Sequence, residues 1–390
     1  MDYSSQFKEL EYLFELKKIN RHQPTTNKIQ YIDVSVYEQQ DVLDKEKKKI
    51  FGNIPLLAGH INQLDAVGSY ILSDWDEFPY IIIKGEDHKI RAFMNVCRHR
   101  GSKIQFEQTS ECLKALICPY HGWSYKLDGT LKGITQSYSF PNINKADYNL
   151  KEIWLQIHEG LIWVSPNPNL EFDIKSYLGE FYEDLAFFNV KDLSLYKKSK
   201  IVKKANWKLL IKTYLEGYHV PYLHKNTLSK SFKNGVISYK QHNDNIRLIA
   251  ARANIMDALP YLESPAYEKN LNILDFASIY YILFPNTFFI FHPDYVSINY
   301  FYPVKPDVTI WTHEMYYDKS KFSPDESIRE NQLNKRFIFT NDVVFDNEDF
   351  LIAEKVQCGI KAEIDAYHTI GKDEGLVYFF QTSIDKYVKG

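Results

Sequence analysis

Four residues raise the first chemical question. Cys97 and His99 stand one residue apart, Cys118 and His121 stand two apart, and residues 100–117 separate the pairs. Each pair follows a strand-like run, so two hairpin loops can bring all four side chains together. Thiolate and imidazole both bind metals, and zinc accepts two of each. Zinc fingers, however, usually group Cys with Cys and His with His. Here each loop supplies one soft thiolate and one neutral imidazole. That mixture suits a [2Fe–2S] cluster in which one iron is held by both Cys and the other by both His. Imidazole carries no charge, so such a cluster is more easily reduced than an all-Cys one and suits one-electron transfer.

A second set lies in NWKLLIKTYLEGYHVPYLHKNTL. Glu216 and His219 are three apart, a spacing that puts them on one face of a helix. His219 and His224 are five apart, which a continuous helix would splay by about 140°. Pro221 is expected to stop the helix between them, leaving both imidazoles free to turn to one metal. Two His plus one carboxylate, with coordination positions left open, is the ligand set of non-haem Fe(II) oxygenases. By itself H-x4-H is a weak signal.

The elements that must position these residues form two kinds of text. Residues 1–51 carry helical spacing at Phe7, Leu10, Leu13 and Phe14, and this segment is expected to pack on the second domain. From 52 to 166 the chain alternates short strands with turns, including hairpins around Gly85-Glu86, Asp128-Gly129 and Glu159-Gly160. The stretch SPNPNLEF is the best linker. Residues 167–390 mix helical segments with strong alternation over 277–317, predicting three or four antiparallel strands and a final long helix over 323–361. The expected fold class is α+β, an all-β module followed by helices packed on an antiparallel sheet.

Composition narrows the function classes. Lys+Arg of 47 against Asp+Glu of 50 leaves a net charge of −3, with none of the basic excess that nucleic-acid binding requires. No apolar run approaches the ~18 residues of a membrane helix. MDYSSQFKEL has no apolar core of a secretory signal, so a soluble, cytoplasmic chain is expected. Four cysteines exclude a disulfide scaffold, and Cys112 and Cys358 read as structural thiols. Aromatic residues make up 15% of the chain, ample for an apolar cavity wall or simply for large cores. No flavin or nicotinamide fingerprint occurs.

NVCRHRGSKI and CPYHGWSYKLDGTLKG resemble the Rieske domain of the ring-hydroxylating oxygenase α subunits. Rieske proteins of respiratory complexes match less well, since each of their loops carries an extra Cys where this chain has Ser102 and Tyr120. E-x-x-H-x4-H downstream is what the same family places there. The segment NEDFLIAEKVQCGI resembles its C-terminal helix, which implies Asp349 as the third iron ligand, with Asp342, Asp346 and Glu348 as rivals. The resemblance also implies that Glu216 bridges His219 to His121 of a neighbouring subunit. Many members carry Asp there, and Glu is associated with the branch acting on carnitine, choline and related amines.

The resemblance therefore implies a Rieske [2Fe–2S] domain over 52–166 and a helix-grip (START-like) catalytic domain with mononuclear Fe(II) over 167–390. It implies a homotrimeric terminal oxygenase. Such an enzyme takes O2, a small organic substrate and electrons that come from NAD(P)H only through a separate reductase, with or without a ferredoxin. Hydroxylation or oxidative dealkylation is the expected reaction. The alternatives are a cis-dihydroxylating dioxygenase of an aromatic acid and a catalytically inactive ligand-binding protein of the same fold. Tyr214, Tyr218, Tyr222 and His292 are candidates for the pocket wall, Asn206 for a helix N-cap, and His60 for a structural role.

Overall fold

The computed structural model describes residues 2–19, 26, 28–263 and 271–389. They fall into two compact units, one of residues 51–173 and 190–192, the other of residues 1–50, 174–189 and 193–390. The larger unit opens with α1 (Tyr3–Ile19), β1 (Gln30–Asp33) and α2 (Gln40–Glu46). Leu10, Leu13 and Phe14 of α1 are buried, as their helical spacing requires, while the Glu9 carboxylate accepts from Ser238 and pairs with Arg247 at 2.6 Å. Glu46 of α2 is fully buried, accepting at 2.5 Å from the Lys208 ammonium and at 2.8 Å from the Trp207 indole.

The smaller unit holds β2 (Leu56–His60), β3 (Tyr70–Leu72), β4 (Tyr80–Lys84), β5 (Ile90–Met94), β6 (Leu116–Ile117), β7 (Ser124–Tyr125), β8 (Leu131–Gly133), β9 (Trp154–His158) and β10 (Leu161–Ser165). They make three antiparallel sheets of three strands, ordered β2-β10-β9, β3-β4-β5 and β6-β7-β8. All three expected hairpins are present, as β4–β5, β7–β8 and β9–β10. Ile81, Ile83, Phe93, Trp123, Tyr125 and Leu131 close one core under the last two sheets. Each such side chain contributes about 1.5–3 kcal/mol of burial. Residues 190–192 return to this unit because the Val190 and Lys191 carbonyls bond His60 and Asn62. His60 thus serves a structural role.

The rest of the larger unit runs through α3 (Ile174–Leu178), α4 (Glu180–Phe187), β11 (Ser194–Lys203), α5 (Trp207–Lys212), α6 (Val220–Leu223), β12 (Phe232–His242), β13 (Asn245–Arg252) and α7 (Leu259–Glu263). Then come β14 (Ala277–Leu283), β15 (Thr287–Phe291), β16 (Tyr295–Lys305), β17 (Val308–Tyr317), α8 (Glu326–Phe337), α9 (Leu351–Ile360), β18 (Tyr367–Ile370) and α10 (Gly375–Lys389). A seven-stranded antiparallel sheet, ordered β11-β17-β16-β15-β14-β13-β12, forms its centre. Four of its strands are those predicted from the alternation over 277–317. Three were not legible: β11 reads as polar text, and β12 and β13 join through a left-handed Asn243 without apolar alternation on the first strand. β1 pairs β18 across nearly the whole chain length. No helix among the described residues is long and apolar enough to cross a membrane.

Two helical expectations need correction. α5 ends at Lys212, well before Pro221, and Pro221 lies in the first turn of α6. Its fixed φ and missing N–H suit that place, so it starts a helix rather than stopping one. The predicted long helix over 323–361 is continuous, but its middle, Ile338–Phe350, is π-helical. Such wide turns concentrate at functional sites.

Candidate metal centres and active-site cavity

In the smaller unit, two similar turns present the four Cys and His residues. The Cys97 carbonyl accepts from Gly101 N–H at 3.0 Å, and the Cys118 carbonyl accepts from Gly122 N–H at 2.9 Å. Gly101 (φ 76°) and Gly122 (φ 72°) close these turns in the left-handed region. A Cβ on Gly122 would also stand only 2.7 Å from Thr135 Oγ1, whereas Gly101 faces open space. Both thiols are buried. The His99 and His121 rings face each other with centroids 4.7 Å apart, and Trp123 stacks on His99 at 4.8 Å.

These residues fit a two-iron cluster. His99 Nδ1 is buried without a hydrogen-bond partner, an orphaned atom that coordination would satisfy. Burial pushes the Cys97 thiol up, against the hydroxyl of Tyr125 at 3.3 Å, so a thiolate there needs compensating positive charge. The four donors do not form a cluster tight enough for one ion. Among the described residues the only such group is His219, His224 and Asp349.

In the larger unit, those three residues offer one ligand atom each, all within 4.8 Å of one another. Glu216 does not share a helix face with His219. It lies in the turn between α5 and α6, where its carboxylate accepts from the backbone N–H groups of Tyr218 and His219 and meets His219 Nδ1 at 2.5 Å. Nδ1 of His224 meets Glu348 Oε2 at 2.7 Å, and Thr227 donates to the same oxygen at 2.7 Å. Each imidazole is thus held at Nδ1 by a carboxylate, which leaves Nε2 toward Asp349, at 3.7 Å from His219 and 3.1 Å from His224. Carboxylate partners of this kind fix the tautomer and ring orientation of a metal-binding His. Burial opposes charge on His224, but Asp349 and Glu348 outweigh it and raise its pKa.

Adjacent acids at the end of the π-helical segment serve one imidazole from opposite sides, Glu348 at Nδ1 and Asp349 at Nε2. The remaining rivals are engaged elsewhere. Asp342 accepts from Asn341, and Asp346 pairs with Lys203 at 2.6 Å. Asn206 caps α5 by accepting from Lys208 N–H, while its own N–H donates to Gln357 of α9 at 2.9 Å. That bond ties the segment bearing both His to the helix following Asp349.

Beside the triad opens a cavity of about 470 Å³, lined from the same unit. The pleat sends alternate residues of each strand into it, Leu248, Ala250 and Arg252 from β13 and Phe288 and Ile290 from β15. Phe289 and Phe291 do not line it, and Phe291 packs on Phe188 at 4.6 Å. Tyr214 stacks on Phe288 at 3.7 Å, its hydroxyl buried without a partner. Tyr218 and Tyr222 are exposed and, unlike Tyr214, do not line this cavity. His292 does line the cavity. Sequence reading missed Arg252, Tyr280 and Arg336, because no motif marks a residue whose role follows only from strand register. Cys112 and Cys358 are exposed, so neither is a packing thiol.

The family model described as "Rieske [2Fe-2S] domain" matches residues 56–144. That described as "Ring hydroxylating alpha subunit (catalytic domain)" matches residues 190–390. The chain is 24% identical over 330 residues to the carnitine monooxygenase oxygenase subunit of Acinetobacter pittii (strain PHEA-2), covering 84% of each protein. It is 31% identical over 210 residues to the glycine betaine monooxygenase oxygenase subunit of Chromohalobacter salexigens, covering 53% of this chain and 45% of that one. In fold it is similar to a crystal structure of a quaternary ammonium Rieske monooxygenase, with a TM-score of 0.78 at 21% identity, covering 92% and 96% of the two chains. It is also similar to naphthalene 1,2-dioxygenase from a Rhodococcus species, at 0.76 and 17%, covering 98% of both. The all-β unit and the helix-grip unit are thus the Rieske and catalytic domains of an oxygenase that carries a [2Fe–2S] cluster and a non-haem iron and works with a separate reductase. With the catalytic-domain match alone spanning more than half of its length, the chain belongs to the ring-hydroxylating α-subunit family.

Proposed function

We propose that Cys97, His99, Cys118 and His121 hold the [2Fe–2S] cluster, that His219, His224 and Asp349 hold the mononuclear iron, and that the enzyme is a monooxygenase. When bound, the cluster supplies single electrons and the iron supplies the oxygen chemistry that hydroxylates or oxidatively dealkylates a small substrate. The observation that carries the iron assignment is the paired arrangement of Glu216 on His219 and Glu348 on His224, with Asp349 before both Nε2 atoms. Three protein ligands leave positions open for dioxygen, and the adjoining cavity holds substrate away from bulk water.

Glu216, accepting from His219 Nδ1, has a second carboxylate oxygen that already gathers backbone N–H groups at the start of α6. A homotrimer in which this carboxylate also meets His121 of the adjacent subunit supports electron transfer between centres, with the domains partitioned as 1–51, 52–166 and 167–390. Monooxygenation is supported by the names of the carnitine and glycine betaine relatives. The dioxygenase reading rests on 33% identity over 156 residues to a benzene 1,2-dioxygenase α subunit of Pseudomonas putida. Product analysis with labelled dioxygen separates them, since one oxygen atom enters in the first case and two in the second. The centres themselves are tested by EPR of dithionite-reduced protein with iron and acid-labile sulfide analysis. Three irons, two sulfides and a Rieske spectrum per chain are expected, and one zinc without sulfide would remove the oxygenase reading.

A further inference from the structure

Three acids and three basic residues line the catalytic cavity, but they do not all pair with one another. Its acids are all engaged: Glu216 with His219, Asp349 with both imidazoles, and Asp294 with two guanidinium nitrogens of Arg336. Among its cations, Lys233 is exposed to solvent and Arg336 is satisfied by Asp294. Arg252 is not. Its guanidinium lies over the Phe232 ring at 6.0 Å, and its contact with Ser278 Oγ is long, at 3.4 Å. It forms no ion pair with a carboxylate among the described residues, Asp275 being near enough only to feel its charge, although it is half-buried at the end of β13. A desolvated guanidinium without a counter-ion is costly, so such groups are usually paired.

A second, independent feature adjoins it. His292 stacks on Tyr295 with ring centroids 4.0 Å apart, and its Nε2 is buried with no hydrogen-bond partner. Tyr295 is itself anchored at 2.7 Å to Thr340, so the imidazole cannot swing away without losing that stack. Burial and then the charge of Arg252 push His292 down to about 3, which keeps the ring neutral with one N–H to give. Tyr280, Arg252 and Asp349 line the same cavity. Much of the remaining wall is apolar and aromatic, including Phe288, Ile290 and Leu248.

We infer that Arg252, assisted by His292, is the anchor for an anionic group of the substrate, a carboxylate on a small molecule whose uncharged or methylated end lies toward the triad. This rests on the oxygenase reading and adds the substrate class to it. The planar guanidinium fork matches a carboxylate, and the neutral imidazole offers a further donor beside it. Held at that end, a substrate presents the same carbon to His219, His224 and Asp349 on each binding event, so Arg252 sets regiochemistry as well as affinity.

The test is calorimetric titration of anaerobic holoenzyme with two matched pairs, 4-phenylbutyrate against 4-phenylbutyramide and 4-(trimethylammonio)butyrate against its methyl ester. In at least one pair the carboxylate is expected to bind about tenfold or more tighter, about 1.4 kcal/mol at 25 °C. R252Q abolishes that preference. R252K, which keeps the charge without the fork, retains part of it and guards against a Gln variant that fails to fold. Lys233 is an exposed cation on the same cavity wall, and K233Q leaves the preference intact. Equal binding within both pairs, a preference that survives R252Q with iron and sulfide unchanged, or its loss in K233Q would each overturn the anchor. Iron and sulfide content of the wild type reports separately on the oxygenase reading, because an anion site can bind carboxylate in a metal-free protein.

Discussion

At the scale of single residues, the site is organised by acids that stand one step behind the candidate ligands. Glu348 read as a rival for Asp349 in sequence, yet it bonds His224 Nδ1 and shares its oxygen with Thr227. E348Q keeps a hydrogen-bonding shape but loses the charge that orients the imidazole. It is expected to weaken mononuclear iron binding by about 10–100-fold while leaving sulfide content unchanged. Unaltered iron retention under chelator challenge would show that the bond is incidental. Glu216 is expected to separate two functions. E216Q is expected to weaken iron binding as E348Q does. In E216Q protein reconstituted to full iron, with the cluster still reduced by dithionite, substrate-coupled oxygen uptake falls about a further ten- to a hundredfold. Undiminished uptake would remove the bridge.

Elements matter here through how they place adjacent residues. The two cluster turns look alike in sequence, and each closes on a glycine of positive φ, but they tolerate change differently. G101A meets open space and costs only the left-handed strain of an L-residue, roughly 1–2 kcal/mol. G122A adds a contact of 2.7 Å with Thr135 Oγ1, so the loop itself must shift. Cluster occupancy, read from the visible absorption of purified protein, is expected to be near normal in G101A and clearly reduced in G122A. Equal loss in both would mean that strain alone governs the turns. The π-helical stretch Ile338–Phe350 also places adjacent residues, setting Glu348 and Asp349 on the two nitrogens of one imidazole.

Across the whole molecule, stability is tied to buried neutral imidazoles in both units. Burial pushes His60 and His313 down to about 4 and His292 to about 3. The hydrogen bonds of His313 fit a neutral ring, with one nitrogen on Asn341 Oδ1 at 2.9 Å and the other on Ser297 Oγ at 3.1 Å. Their folded pKa values lie below the ordinary value of about 6.5, so between pH 6.5 and about 4 the unfolded chain binds more protons than the native one. Stability is therefore full above about pH 6.5 and falls as the pH drops through that window. Each such His contributes a slope of at most about 1.4 kcal/mol per pH unit. Urea midpoints of iron-replete protein are expected to fall from pH 7 to 5, less steeply in H313Q than in the wild type. An unchanged slope in H313Q would show that His313 protonates freely in the native state. The chemistry of the chain is written locally: Cys97-x-His99, Cys118-x-x-His121 and Glu216-x-x-His219-x4-His224 name ligand types because donor chemistry belongs to the side chain itself. The alternating run over 277–317 likewise declares its strands, since period-2 burial is a local pattern. What only the tertiary structure decided is which groups meet. Asp349 rather than Glu348 faces both Nε2 atoms, and Pro221 begins a helix instead of ending one. Arg252 was silent in sequence, because its position at the cavity wall comes from the register of β12, β13 and β14. Pairing between strands is fixed by contacts distant along the chain, and no local spacing carries that information.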